Sequence, residues 1–180
     1  MLSLFESAFL MFDRLCSRWG RGAIALLLGV LVGFGWMPTS EAARRIDPYV
    51  RQYLKAAEPV EIRVNETGET QPFTPDDLLQ GKESFSNSCL TCHVGGSTLS
   101  NPSVGLSLED LHNATPPRDN LENLVQYIRR PMFYDGLYEN DWCREVPESW
   151  MSDTEVNNMA AFILRAAEFA PGWGTERFTN

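Results

Sequence analysis

The chain has 180 residues, of which 43% are hydrophobic and 22% are charged, a composition typical of a globular protein. Its length allows one domain of ordinary size and excludes two large ones. Fifteen basic and 24 acidic residues give a formal net charge of -9, which disfavours binding to nucleic acid or to anionic lipid because both repel a negative protein.

The N-terminal segment has the features of a signal peptide. Three arginines precede an uncharged run over residues 22–36, which is shorter than the ~20 apolar residues of a membrane-spanning helix. Small residues follow, and cleavage is expected after Ala42. A retained membrane anchor is the alternative. Residues 1–42 are therefore predicted to be removed, which leaves a mature protein that has no integral membrane span and works outside the cytoplasm.

Residues 43–73 are predicted to form an N-terminal extension that is polar and irregular apart from one hairpin. Residues 60–64 alternate between apolar and polar side chains, and residues 65–68 supply a turn, so a short β-hairpin is expected. Residues 74–180 are predicted to form the main domain.

Three helices are predicted in the main domain. Thr74 is a capping residue followed by proline, and apolar residues recur at helical spacing as far as Ser88. Residues 94–113 are predicted to be loop with a short helical turn. A second helix is expected to begin near Asn120 and to stop before Pro131. A third begins at Ser152 with a capping box. Short helices joined by long loops seldom bury a good core, so another group is expected to fill the centre.

Cys89, Cys92 and His93 form a C-x-x-C-H motif at the end of the first predicted helix. This spacing is typical of covalent c-type haem, because two thiols can bond to one porphyrin edge while the adjacent imidazole binds the iron. A redox dithiol would need a βαβ context, and a zinc site would need a second ligand pair. Neither feature is present in the sequence, and a disulfide would not account for the adjacent His93. The motif therefore predicts one covalently bound haem c.

The second axial ligand of the iron has several candidates. His112 lies in a polar segment and is expected to be a surface residue. Met151 stands just before the last helix, where many small c-type cytochromes have a methionine ligand, although it could equally be a core residue. Cys143 has no disulfide partner once the motif cysteines hold haem. Met132 and Met159 are weaker candidates. On residue chemistry alone, Met151 and Cys143 are equally good.

Several segments of the sequence resemble the cytochrome c-550 family, the extrinsic haem subunits on the lumenal side of cyanobacterial photosystem II. The likeness covers most of residues 75–170 and is strongest to a divergent branch of the family. It rests on Gly81 and Lys82 and on residues 89–96, 101–103, 114–120 and 134–136, of which the Ala-Thr-Pro-Pro-Arg-Asp-Asn run is the most specific.

The resemblance implies a mainly α, small c-type cytochrome fold with short helices around one haem and an N-terminal hairpin extension. It implies covalent haem attachment at Cys89 and Cys92 and proximal ligation by His93. The family uses two histidine ligands, and Cys143 stands about where its distal histidine would fall. Family members also carry a methionine before the last helix that is not a ligand. The resemblance therefore favours His93 and Cys143 as axial ligands, with Met151 as the alternative to Cys143.

The resemblance also implies a function: a low-potential cytochrome for electron transfer in the thylakoid lumen, able to substitute partly for cytochrome c-550. The alternative is an extrinsic structural subunit of photosystem II that supports oxygen evolution. The expected partners are the lumenal surface of photosystem II or a soluble lumenal redox protein, and the expected location is peripheral, on the lumenal side of the thylakoid membrane. An enzyme, such as a peroxidase or gas binder, is not expected, because His112 is the only evident distal acid or base. The segment between Cys143 and Met151 and the C-terminal tail depart from the family where a docking surface could lie.

Overall fold

The structure, a computed structural model, describes residues 46–98 and 104–175. The predicted signal peptide lies outside these residues. Within them the chain is mainly α-helical, as the sequence predicts, with one small antiparallel sheet. The elements are α1 (Pro48–Gln52), β1 (Val60–Arg63), β2 (Thr70–Phe73), α2 (Pro75–Ser88), a 3-10 turn (Val94–Gly96), α3 (Leu108–Asn113), α4 (Leu121–Arg129) and α5 (Asp153–Phe169).

The short helix α1 corrects the expectation that the extension is irregular before its hairpin. Asp47 caps the helix by accepting hydrogen bonds from the backbone amides of Tyr49 and Val50, at 3.0 and 3.1 Å, and Pro48 occupies the first turn. An Asp-Pro pair is a recognised start signal for a helix, so the sequence did contain the information. Lys82 of α2 then binds the same carboxylate at 2.9 Å, which joins α1 to the main domain.

The hairpin lies in the predicted position. β1 pairs with β2 in antiparallel register, from Val60 opposite Phe73 to Arg63 opposite Thr70. Ile62 and Phe73 are buried, whereas most of the other strand residues are exposed. Only one face of this two-stranded sheet therefore packs on the protein, which is consistent with its accessory position.

Helices α2 and α5 begin with reciprocal capping boxes. The Thr74 hydroxyl accepts from the Asp77 amide at 3.1 Å, and the Asp77 carboxylate accepts from the Thr74 amide at 2.8 Å. Ser152 and Glu155 form the same arrangement at the start of α5. Each box satisfies two backbone amides that have no partner inside the helix, which explains why both predicted helix starts are confirmed.

The main core lies where α2 packs against α5. Gly81 permits this contact, because a Cβ at that position would collide with the backbone carbonyl of Asn158 and lie 2.9 Å from the Phe162 Cβ. Three aromatic rings fill the adjoining space, with centroids 5.4–5.6 Å apart: Phe85, Phe162 and Trp173. Nine residues of α5 are buried, so this helix is the centre of the core.

Helices α3 and α4 extend this core on one side. α4 contributes Leu121, Leu124 and Ile128 to the buried cluster, and α3 contributes Leu111. The loop after α4 returns over them through Val146 and Met151. None of the helices in the described residues has the length and apolar content of a bilayer-spanning helix.

Candidate haem site

A cavity of about 290 Å³ opens between the end of α2, the segment around α3 and α4, and the loop that precedes α5. Cys89, Cys92, His93 and Cys143 all line it. These four side chains come from two segments that lie 50 residues apart, from residue 93 to residue 143. The fold therefore brings together the residues that the sequence predicts to attach haem and to bind its iron.

The end of α2 positions the C-x-x-C-H motif. Cys89 is the C-cap, and its amide donates to the Phe85 carbonyl at 2.8 Å. The Cys89 carbonyl then accepts from the amides of Cys92 and His93, at 3.1 and 2.9 Å, so the chain turns tightly through the motif. This turn places both thiols and the imidazole on the cavity wall.

The His93 ring is held by a hydroxyl. The Nδ1 atom of His93 lies 3.1 Å from the Thr98 Oγ1, and Thr98 in turn hydrogen-bonds to the carbonyl of Val104. Burial lowers the pKa of His93, because the charged imidazolium is poorly solvated there. The neutral ring, which is the form that binds metal, is thus favoured.

Cys143 faces the cavity beside Tyr127 and Arg118. Burial raises the pKa of the Cys143 thiol, while a hydrogen bond from Tyr127 and the positive charge of Arg118 oppose that rise. Both neighbours therefore stabilise the thiolate relative to the thiol. In the C-x-x-C-H motif, burial raises the pKa of the Cys89 thiol to about 11, and the nearby thiols of Cys143 and Cys92 also raise it.

Arg118 is fixed in this position by backbone carbonyls and by an aromatic ring. Its guanidinium donates to the carbonyls of Met132 and Phe133, at 3.1 and 2.8 Å, and lies 3.9 Å from the centroid of the Tyr127 ring. Arg118 is buried, so the fold fixes both the position and the orientation of its guanidinium. The positive charge therefore stands permanently beside Cys143.

These residues fit a haem. The cavity presents two thiols at C-x-x-C spacing, an imidazole, a third thiol and a largely apolar lining that includes Leu106, Leu124 and Phe133. In residues 46–98 and 104–175, no three His, Cys, Asp or Glu side chains group closely enough to hold a bare metal ion. Cys89, Cys92 and His93 would hold the haem, and Cys143 lines the same cavity.

Most of the other ligand candidates lie away from the lining of the cavity. Met151 is buried in the core beneath the loop and is not among the described residues that line the cavity, whereas Cys143 is. His112 is mostly exposed and lies 2.7 Å from the Asp119 carboxylate. Met159 is buried on α5 with its sulfur 3.9 Å from that of Cys89. Met132 does line the cavity.

Sequence reasoning missed three residues that shape the site: Thr98, Arg118 and Tyr127. Arg118 belongs to the most specific family-like run, which was the available signal for its importance. Tyr127 follows Leu124 by one helical turn and therefore shares its face of α4. Thr98 carries no local signal, because its role depends on where the chain returns at Val104.

Comparisons with known proteins identify the family of this chain. The family model for the cytochrome c-550 domain matches residues 53–180. The cytochrome c-550-like protein of Trichodesmium erythraeum is 51% identical over 153 residues, which is 85% of this chain and 90% of the relative. The photosystem II extrinsic protein V of Gloeobacter violaceus is 47% identical over 137 residues, 76% of this chain and 74% of the relative.

A solved structure shares the fold. The crystal structure of the PsbV2 cytochrome from Thermosynechococcus elongatus superposes with a TM-score of 0.71 at 54% identity, covering 72% of this chain and 99% of the other. The predicted family and fold class are thereby confirmed, and membership implies a haem c cofactor. This chain belongs to the cytochrome c-550 family.

Proposed function

We propose that this chain is a monohaem c-type cytochrome that carries electrons at low potential in the thylakoid lumen. Cys89 and Cys92 hold the haem covalently, and His93 and Cys143 are the axial ligands. The observation that carries the proposal is the meeting of these four side chains in one cavity, with Met151 buried in the core instead.

Attachment needs no oxidant. The Cys89 and Cys92 thiols would each add across one vinyl group of the haem, with sulfur bonding to one carbon and hydrogen to the other, so the attachment would involve no net oxidation or reduction. Bound haem supplies one-electron exchange at its iron. The protein's part would be to supply the two iron donors from two segments of the chain, the C-x-x-C-H turn and the loop that carries Cys143.

The proposed low potential follows from the donor set. A thiolate donates more electron density than an imidazole or a thioether, and this stabilises ferric iron relative to ferrous iron. Arg118 and the Tyr127 hydrogen bond support the thiolate of Cys143 inside a buried site. We propose that Cys143 stays bound to the iron, which would favour electron transfer over ligand exchange. We therefore propose that the protein is not an enzyme.

The location and partners are proposed from relatives. Relatives named as photosystem II extrinsic protein V support a place on the lumenal side of the thylakoid membrane, peripheral to photosystem II or in contact with a soluble redox protein. The same relatives support a second candidate function, an extrinsic subunit of photosystem II in which haem serves mainly to complete the fold.

The test is an optical and electron-spin-resonance spectrum of the purified ferric protein, with Cys143→Ser and Met151→Leu as matched variants. We expect a low-spin thiolate signature in the wild type and in Met151→Leu, and its loss in Cys143→Ser. The mass of the mature protein should exceed that of the polypeptide by one haem. A colourless protein, or an unchanged spectrum in Cys143→Ser, would refute the assignment.

The competing functions separate in two further measurements. Stoichiometric recovery with isolated photosystem II, together with slow electron exchange in solution, would favour the structural role. Binding of carbon monoxide or turnover of peroxide would favour an enzyme or sensor, because both need a ligand that leaves the iron.

A further inference from the structure

We infer that the Thr98 hydroxyl fixes the tautomer and orientation of His93, so that the ring nitrogen Nε2 is free to bind iron. Thr98 is thus a positioning residue for the axial ligand. The inference rests on the proposed function, in which His93 is that ligand. It concerns a residue outside the C-x-x-C-H motif, and its basis is a chain of two hydrogen bonds.

The proton positions in this chain follow from the chemistry of its ends. The Val104 carbonyl can only accept, so the Thr98 hydroxyl must donate its one hydrogen to it. Having donated, the Thr98 Oγ1 can only accept from the His93 Nδ1, which lies 3.1 Å away. The Nδ1 atom therefore carries the ring proton, and Nε2 of the neutral ring has a free lone pair.

The backbone around Thr98 is held firmly enough for such a role. The amide of the preceding Ser97 donates to the Val94 carbonyl at 3.1 Å, and the Ser97 hydroxyl donates to the Thr175 carbonyl at 2.6 Å. The other end is held too, since the Leu106 amide donates to the Gly96 carbonyl at 2.7 Å. These bonds bring Val104 back beside Thr98, a pairing that the local sequence does not predict.

The arrangement has an electronic consequence as well as a geometric one. An acceptor on the Nδ1 proton makes the ring a stronger donor at Nε2, as outer-shell partners of metal-bound histidines do generally. A stronger donor stabilises ferric iron. Thr98 therefore acts on the iron in the same direction as the thiolate of Cys143.

Three variants of the haem-loaded protein test this role. Thr98→Val keeps the shape and removes the hydroxyl, Thr98→Ser keeps the hydroxyl, and Ser97→Ala removes a neighbouring hydroxyl that does not contact His93. The measurements are the reduction potential, the ferric electron-spin-resonance spectrum and the exchange rate of the His93 Nδ1 proton in the reduced protein. For Thr98→Val we expect the ferric-to-ferrous equilibrium to shift about tenfold towards ferrous iron, equivalent to about 59 mV upward, with faster proton exchange.

Thr98→Ser should restore the wild-type potential and exchange rate, and Ser97→Ala should lower stability without moving either. A Thr98→Val protein with wild-type potential and exchange rate would overturn the inference, as would a Thr98→Ser protein shifted as far as Thr98→Val. Those failures differ from failure of the proposed function, which would show as absence of haem or of histidine ligation in the wild type.

Discussion

The α2–α5 contact, from which the C-x-x-C-H motif extends, and the loop over residues 131–150, which borders the cavity, are built differently. In the helix contact, nine residues of α5 are buried and the Phe85, Phe162 and Trp173 rings pack on one another. In the loop, Leu137, Tyr138 and Trp142 are 68%, 71% and 75% exposed, and a few residues such as Val146 reach the core. The helix contact is therefore densely packed, whereas the loop is largely exposed and borders the cavity.

The two regions would position the two proposed iron ligands with different rigidity. The helix contact carries the C-x-x-C-H motif at the end of α2, so its rigidity sets the position of His93. The loop carries Cys143 and is held to the helices mainly by hydrogen bonds. Because few apolar residues of the loop are buried, the loop should open more readily than the helix contact does.

A substitution at Gly81 should break the helix contact and have the largest effect. In Gly81→Val, the new side chain would collide with the Asn158 backbone, so the helices must separate. We expect the free energy of unfolding to fall by about 3 kcal/mol, the upper range for overpacked cores, as measured by denaturant titration. Glu83→Val at an exposed position of the same helix is the control, and its cost should be about 0.5 kcal/mol. Equal losses in the two variants would contradict the prediction.

A substitution at Arg129 should loosen the loop instead. The Arg129 guanidinium donates to the carbonyls of Val146 and Met151, both at 2.8 Å, and so joins α4 to the end of the loop. Arg129→Gln is too short to make both bonds, and we expect a loss of about 2 kcal/mol. Hydrogen exchange should rise over residues 131–150 and stay slow in α2.

Asp153→Asn is the matched control, because Asp153 is an exposed partner of the same guanidinium at 2.7 Å. It should cost less than about 1 kcal/mol, since exposed ion pairs contribute little. If Asp153→Asn were as damaging as Arg129→Gln, the ion pair rather than the two carbonyl bonds would hold the loop.

Asp119, which pairs with Arg63 of the hairpin, should make the stability of the protein depend on pH. This effect should be smaller than those of the Gly81 and Arg129 substitutions. Burial opposes ionisation of this carboxyl, but hydrogen bonds from His112 and Arg63 outweigh it and lower the pKa below its ordinary 3.8. A depressed folded pKa gives stability that is present above pH 3.8 and is lost as the pH falls through the folded value. Asp119→Asn should therefore cost about 1 kcal/mol near neutral pH.

The pH dependence identifies the group. The difference in unfolding free energy between wild type and Asp119→Asn should shrink as the pH falls below about 4. Glu83→Gln, which removes an exposed carboxylate from α2, is the control for the loss of one negative charge. A difference between wild type and Asp119→Asn that stayed constant through the acid range would show that the Asp119 ion pairs do not contribute.

The local sequence determined the elements whose energetics are local. The caps at Thr74, Asn120 and Ser152 are all present, because a cap depends on residues within one turn of helix. The haem motif is likewise a matter of three-residue spacing. By the same rule, the Asp-Pro start of α1 was available in the sequence.

Only the tertiary structure decided which distant residues meet. Cys143 and Met151 were equal candidates on residue chemistry, and only the folded chain places one in the cavity and the other in the core. The Thr98–Val104 bond and the position of Arg118 beside Tyr127 also depend on how loops return to the helices. Such contacts are set by the packing of the whole chain, which no local pattern encodes, whereas caps and motifs need only their nearest neighbours.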